Sequence, residues 1–186
     1  MATRILILSL FLFMAFPAFP AEVAGVKIPD TDQQLVLNGA GLRKRAFFQV
    51  YVIGLYLPEK KSAAADAVAA TGAKRIAIHM LRNVAAGEFA GALADGIKDN
   101  HGEAEAKALE PRVKQLAAIM AEMKEAKKGM RITLDWLPAG TQVTVDGKPA
   151  GTPIPGEDFY RALLRIWLGD KPVQDDLKKA LLGGAQ

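Results

Sequence analysis

The run from Ala46 to Leu57, Ala-Phe-Phe-Gln-Val-Tyr-Val-Ile-Gly-Leu-Tyr-Leu, constrains this chain most. It is rich in aromatic and β-branched residues, is stopped by Pro58, and reads as one long strand. Side chains alternate between the faces of a strand, so a run that is apolar at both parities can be covered on both sides. Just before it stand a small-residue turn, Gly39-Ala-Gly41, and three cations, Arg43, Lys44 and Arg45. In an extended chain Arg43 and Arg45 point one way and Lys44 the other. One face at the edge of a core then presents two guanidiniums, whose forks suit carboxylates and delocalised oxyanions. A phenol such as Tyr51 or Tyr56 can share that duty. The competing reading of the same residues is a solvated hairpin turn.

Part of the 51% hydrophobic content belongs to the N-terminus. Arg4 precedes an apolar run, Ile5 to Phe16, and Pro17-Ala-Phe-Pro-Ala21 follows. That is the order of a secretory signal peptide, and the run is short for a bilayer span. The sequence therefore predicts a signal peptide over residues 1–21 and one domain over residues 22–186, exported to a periplasm. An uncut anchor is the alternative. The chain contains no cysteine, so thiol chemistry and cysteine metal sites are excluded, and stability rests on packing alone. Loss of Arg4 takes the formal charge from +4 to +3. A mild excess spread along the chain does not argue for nucleic acid. No second apolar run is long enough to span a membrane after cleavage.

Further along, Val23 to Ile28 and Leu35 to Leu37 read as short strands, with Asn38-Gly39 as a turn. Gly54 suggests a bulge or the close approach of something bulky. Glu59 to Gly72 reads as a short helix with loops, and Arg75 to Arg82 as a strand. Asn83 is a candidate cap for a helix reaching Asn100, with Phe89, Leu93 and Ile97 on one stripe. A longer helix is expected from Glu103 to Lys127, buried along Leu109, Val113, Leu116, Met120 and Met123, with a start or kink required near Pro111. From Met130 to Trp136 the alternation puts Met130, Ile132, Leu134 and Trp136 inward and Arg131, Thr133 and Asp135 on a solvated face. Asp146-Gly147 is the strongest hairpin signal, and Pro149 to Pro155 an edge segment. Two helices close the chain, Asp158 to Leu168 and Gln174 to Leu182. This order gives an α+β fold, an antiparallel sheet with helices gathered against it.

Few constellations carry chemistry. The two histidines, His79 and His101, have no ligand spacing. Ser62 lacks a nucleophile-elbow context, and Asp95 and Asp99 read as an exposed helix face. No glycine-rich phosphate loop is present, because Gly39-Ala-Gly41 leads into a strand.

The segments Gly39-Ala-Gly-Leu-Arg43 and Val50-Tyr-Val-Ile-Gly-Leu-Tyr-Leu57 resemble the opening signature of the chalcone isomerase superfamily. The resemblance continues at Leu93 to Asn100, at Asp158-Phe159, at Leu163-Leu-Arg-Ile-Trp-Leu-Gly-Asp170, and from Pro172-Val173 to Leu177-Lys178. Among the superfamily's branches, an exported bacterial chalcone-isomerase-like group is the nearest in pattern. The resemblance implies an open-faced β-sandwich, with the ligand cleft between a large antiparallel sheet and its helices. It also implies that the arginine which steadies an oxyanion in the plant enzymes falls on Arg43. A threonine of those enzymes falls on Tyr51, a tyrosine on Leu93, an asparagine on Asn100, and a second threonine on Ile166.

An arginine and an asparagine are thus retained while three hydroxyl positions change. Losing several positioning groups together costs orders of magnitude in rate, and replacing polar groups with Leu and Ile makes a cleft suited to an acyl chain. The expected function is non-catalytic binding of a small amphipathic or fatty-acid-like ligand. Arg43 is its anchor, and Tyr51, Leu93, Asn100 and Ile166 line the cleft. No cofactor or metal is expected. The first alternative is an isomerase or intramolecular lyase on an enone, using Arg43, Tyr51 and Asn100. The second is a scaffold, or a haem binder using His79 or His101.

Overall fold

The computed structural model describes residues 21–184. The expected signal peptide, apart from Ala21, lies outside the described residues. A hairpin opens the chain, β1 (Ala21–Val23) and β2 (Val26–Ile28), and β3 (Thr31–Asp32), β4 (Leu35–Arg45) and β5 (Phe48–Leu57) follow. Helix α1 (Ala64–Ala69) leads to β6 (Lys74–Met80) and the short β7 (Val84–Ala85). Two helices, α2 (Ala86–Asp99) and α3 (Glu103–Ala121), precede β8 (Glu125–Ala126), β9 (Arg131–Leu137), β10 (Gly140–Val145) and β11 (Lys148–Ile154). The chain closes with α4 (Glu157–Leu168) and α5 (Asp175–Leu181). Seven strands form one antiparallel sheet in the order β11-β10-β9-β6-β5-β4-β3.

The two-sided apolar run sits near the centre of that sheet and is covered on both faces from Tyr51 to Leu57, whereas Ala46 and Phe47 form the turn before β5 and Phe48 stays exposed. Tyr51, Ile53, Leu55 and Leu57 point into the core formed with α2, α3, α4 and α5. Val52 and Tyr56 point the other way and pack with Ile28, Leu35, Leu37, Leu42 and Ala77. The N-terminal segment is therefore the second cover, and the Tyr56 hydroxyl donates to Pro29 O over 3.0 Å. Gly54 lies between Ala40 and Ala77 in register. A Cβ there would stand 3.1 Å from the Tyr56 ring, so the glycine marks a close approach. The expected α+β architecture is the one observed, with helices backing one face of the sheet. Among the described residues no helix is long and apolar enough to cross a membrane.

Several local expectations are corrected. Asn38-Gly39 is not a turn but an irregularity inside β4, where the register shifts between Leu37 and Gly39. The Asn38 amide donates to Leu181 O at 2.7 Å and to Lys61 O at 3.0 Å, and accepts from Lys61 N at 2.6 Å. A Cβ on Gly39 would lie 2.1 Å from Ala180 O, so the glycine lets α5 rest on the strand. α3 ends at Ala121, well short of Lys127, and Glu125–Ala126 pairs instead with β7. Ala85, not Asn83, occupies the N-cap of α2. Asn83 ties two loops, accepting from Lys128 N at 2.9 Å and donating to Glu125 at 3.2 Å. Pro111 lies within α3, away from either end.

The supposedly solvated face of β9 is mostly buried. Thr133 and Asp135 are inaccessible because Arg75 forks onto Asp135, with Nε–Oδ1 2.5 Å and Nη2–Oδ2 2.9 Å. Arg75 also donates to Asp32 at 2.6 Å, and Thr133 donates to Asp135 at 3.0 Å. Arg131 closes the group on Asp32. Alternation alone could not show that β3 brings a carboxylate to this face.

Turn and cap chemistry behaves as the residues dictate. Asp146 and Gly147 both have positive φ, 47° and 79°, as a tight two-residue hairpin requires. At the end of α5, Gly183 N bonds Ala180 O and Gly184 N bonds Lys179 O, a paired C-terminal cap with Gly183 in the left-handed region.

Candidate ligand-binding site

The β4–β5 hairpin builds one wall of the site. Arg43 stands directly opposite Tyr51 in the register, and Arg45 opposite Phe48. The register shifts between Arg43 and Lys44, and Ala46 turns the chain with φ 52°. Behind this wall lies a cavity of about 390 Å³. Small-molecule sites run from about 300 to 1,000 Å³, so the space is of ligand size. Val50, Phe89, Ala92, Leu93, Ile166 and Val173 give it an apolar lining, drawn from β5, α2, α4 and the α4–α5 loop. Arg43, Arg45, Arg82, Asn83 and Glu88 supply its charged and polar rim, and Tyr51 also lines it. Lys44 does not.

Tyr51 is buried, and its hydroxyl accepts a hydrogen bond from Trp167 Nε1 at 3.0 Å. Its ring meets Phe89 edge-on, with centroids 6.1 Å apart. Burial raises the phenol pKa above its ordinary value, opposed by the Trp167 hydrogen bond and then by the charge of Arg43. The phenol is therefore neutral at physiological pH and keeps its proton to donate.

Arg43 is held by Gln174, the N-cap residue of α5. Its Nη1 donates to Gln174 Oε1 at 3.3 Å and to the carbonyl of Lys44. The same Gln174 oxygen accepts from Lys44 N at 2.8 Å, and Gln174 Nε2 donates to Leu42 O at 3.0 Å. Gln174 thus braces the strand that carries Arg43. Sequence reasoning missed it, because the contact spans 131 residues and glutamine gives no local signal. Arg82 was also missed as a rim residue. Its guanidinium lies 4.5 Å from the centroid of the Phe48 ring. Arg45 pairs with Glu88 at 2.7 Å, an exposed contact. Arg43 and Arg82 therefore have no carboxylate partner among the described residues.

Leu93 and Ile166 line the cavity from facing helices. Those helices touch closely: a Cβ on Gly96 would lie 2.8 Å from Ile166 Cγ2. Asn100 does not line it. Its amide donates to Gly96 O at 2.9 Å and Lys171 O at 2.8 Å and accepts from Lys171 N at 2.9 Å, clasping α2 to the α4–α5 loop. His79 pairs with Val52 and Arg131 on the face of the sheet away from the cavity. His101 sits at the α2–α3 turn, its Nδ1 2.6 Å from Ile97 O. The two histidines belong to different parts of the fold. Among the described residues no group of three or more His, Cys, Asp or Glu side chains is placed to hold a metal.

No curated protein matches the chain. A fatty-acid binding protein of Arabidopsis thaliana has a similar structure, with a TM-score of 0.69 over 85% of this chain and 92% of that one. The sequences are 15% identical, so this likeness shows the fold alone. A family model described as chalcone isomerase-like matches residues 20–183. That span takes in every element from β1 to α5, and the chain belongs to the chalcone isomerase-like family.

Proposed function

We infer that the protein binds a small amphipathic anion without transforming it, its acidic head between Arg43 and Tyr51 and its apolar body in the cavity below. The observation that carries this reading is the pairing of a guanidinium and a neutral phenol across one rung of the sheet, at the mouth of an otherwise apolar space. A carboxylate accepts from both. Arg43 supplies charge, while Tyr51 supplies a directional donor whose oxygen is already held by Trp167. The fold shared with a fatty-acid binding protein agrees with a fatty acid as the ligand. The isomerase alternative draws no support from Asn100, whose amide is engaged between Gly96 and Lys171.

Native mass spectrometry of the purified protein tests this directly. A retained mass in the fatty-acid range supports the reading, and added long-chain fatty acid should bind an emptied protein. Arg43→Ala should weaken that binding by about 1.5–3 kcal/mol, the worth of a hydrogen bond to a charged group. Unchanged affinity in Arg43→Ala removes the anchor. Turnover of chalcones above the Arg43→Ala background reinstates the enzyme. The proposal includes export, supported by the order of charge, apolar run and small residues from Arg4 to Ala21. The intact mass of the secreted form checks it.

A further inference from the structure

The tip of the β4–β5 hairpin carries the most exposed large apolar side chains among the described residues. Phe47 is 86% exposed and Phe48 48%. Their rings lie together, centroids 4.4 Å apart. Neither belongs to a core cluster. Leu137, the other large exposed hydrophobic, is at the opposite end of the sheet. A lone surface leucine is ordinary, but two adjacent phenylalanines projecting from a tight turn mark an interaction surface.

The charges around them say what kind. Lys44 and Arg45 flank the turn, and Arg82 covers the Phe48 ring. Exposed Lys127 and Lys128 stand on the neighbouring loop, which Asn83 ties to the same end of the molecule. Carboxylates at this end include Glu88, Glu125, Asp146, Asp175 and Asp176. Glu88 is paired with Arg45, Glu125 accepts from Asn83, and Asp176 feels the charge of Lys44. Lys44, Arg82, Lys127 and Lys128 enter no salt bridge among the described residues, so their charge is left for a partner. Two copies of such a tip repel each other, whereas an anionic surface attracts it.

We propose that this tip docks on a bilayer containing anionic phospholipid. Phe47 enters the headgroup region, and the surrounding Lys and Arg side chains meet lipid phosphates. Aromatic rings beside cations suit that interface, one part apolar and one part wet. Arg45, Ala46 and Phe48 also line the cavity, so a docked tip opens the cavity mouth onto the lipid. That last step rests on the ligand-binding reading, whereas the docking itself does not.

The absence of cysteine allows a single reporter to be placed at will. Full-length protein carrying Phe47→Cys, labelled with an environment-sensitive nitrobenzoxadiazole dye, is mixed with vesicles of equal phosphatidylglycerol and phosphatidylcholine. Leu137→Cys carries the dye at the far end as a control. Emission at position 47 should rise at least twofold, while position 137 stays unchanged whatever the N-terminus does. Pure phosphatidylcholine should give a much weaker response. Lys127→Gln with Lys128→Gln should raise the vesicle concentration needed by about tenfold or more, with fatty-acid affinity in solution unaltered. No response at position 47, or an equal response at position 137, overturns the proposal. A response without vesicles that grows with protein concentration also overturns it and makes the tip a contact between copies. Failure to bind any fatty acid would leave the position-47 signal in place, so the two readings fail separately.

Discussion

Trp167 Nε1 donates to the Tyr51 hydroxyl over 3.0 Å, linking the last turn of α4 to the strand that faces Arg43. Both groups are buried. The bond fixes the phenol oxygen from behind and leaves its proton for the cavity. Tyr51→Phe should strand the indole N–H and destabilise the fold by about 1–3 kcal/mol. Ligand affinity should fall as well. In a urea double-mutant cycle, Trp167→Phe added to Tyr51→Phe should cost less than the sum of the two single changes, because no orphan donor then remains. Strict additivity would mean that the bond does not form in solution.

Gly39 and Gly91 separate two meanings of glycine. At Gly39 a Cβ would sit 2.1 Å from Ala180 O and 2.7 Å from Leu181 backbone, with no flexible end to yield. Gly39→Ala should destabilise by about 3 kcal/mol or more, through overpacking of β4 against α5. At Gly91, inside α2 and exposed, a Cβ meets nothing within 4 Å. Gly91→Ala should stabilise by about 0.5–1 kcal/mol through helix propensity. Denaturant midpoints of the two variants should move in opposite directions.

These examples also show how far the sequence could be read. Two-sided covering of β5 from Tyr51 to Leu57 was legible because composition at both parities states it outright, although the same composition did not show that Phe47 and Phe48 stay exposed. The Asp146-Gly147 turn was legible because only certain residues accept positive φ. The family signature carried the candidate site residues, and the structure groups Arg43, Tyr51, Leu93 and Ile166 around one cavity while placing Asn100 in a clasp. Long-range partners were illegible. Asn38-Gly39 has the composition of a turn, yet its conformation is set by α5 packing on β4 from the far end of the chain. Gln174 braces Arg43 by the same route. The face bearing Thr133 and Asp135 read as solvated because the alternation of β9 cannot reveal Arg75 and Asp32.

That Arg75–Asp135 pair is the fork on which the outer face closes. Both side chains are almost wholly buried, and Asp32 links the pair to the N-terminal segment. Removing one partner leaves a buried charge uncompensated, so Asp135→Ala should cost about 3–5 kcal/mol. Arg75→Met combined with Asp135→Leu should recover part of that loss, since apolar groups of similar volume need no partner. Asp32→Ala should act more locally. Amide exchange over residues 21–32 should accelerate before the β5–β6 pair is affected.

His79 and Glu157 contribute to the pH dependence of stability in separate windows. Burial, reinforced by the charge of Arg131, holds the His79 pKa below the ordinary 6.5. The unfolded chain therefore takes up that proton first, and stability present above pH 6.5 is lost as pH falls through it. Glu157 is held below its ordinary 4.5 by the hydrogen bond from Lys74, whose ammonium is buried and 2.8 Å away. Its contribution is intact above pH 4.5 and disappears as pH falls below that value. Urea midpoints taken at pH 7.5, 5.5 and 3 should separate the two. His79→Gln should flatten the decline between pH 7.5 and 5.5 and leave the acid limb unchanged. Glu157→Gln should cost about 1.5–3 kcal/mol at pH 7.5, and the gap to the native protein should narrow at pH 3. A Glu157→Gln deficit of the same size at all three values would show that Lys74 and Glu157 do not share a charged hydrogen bond.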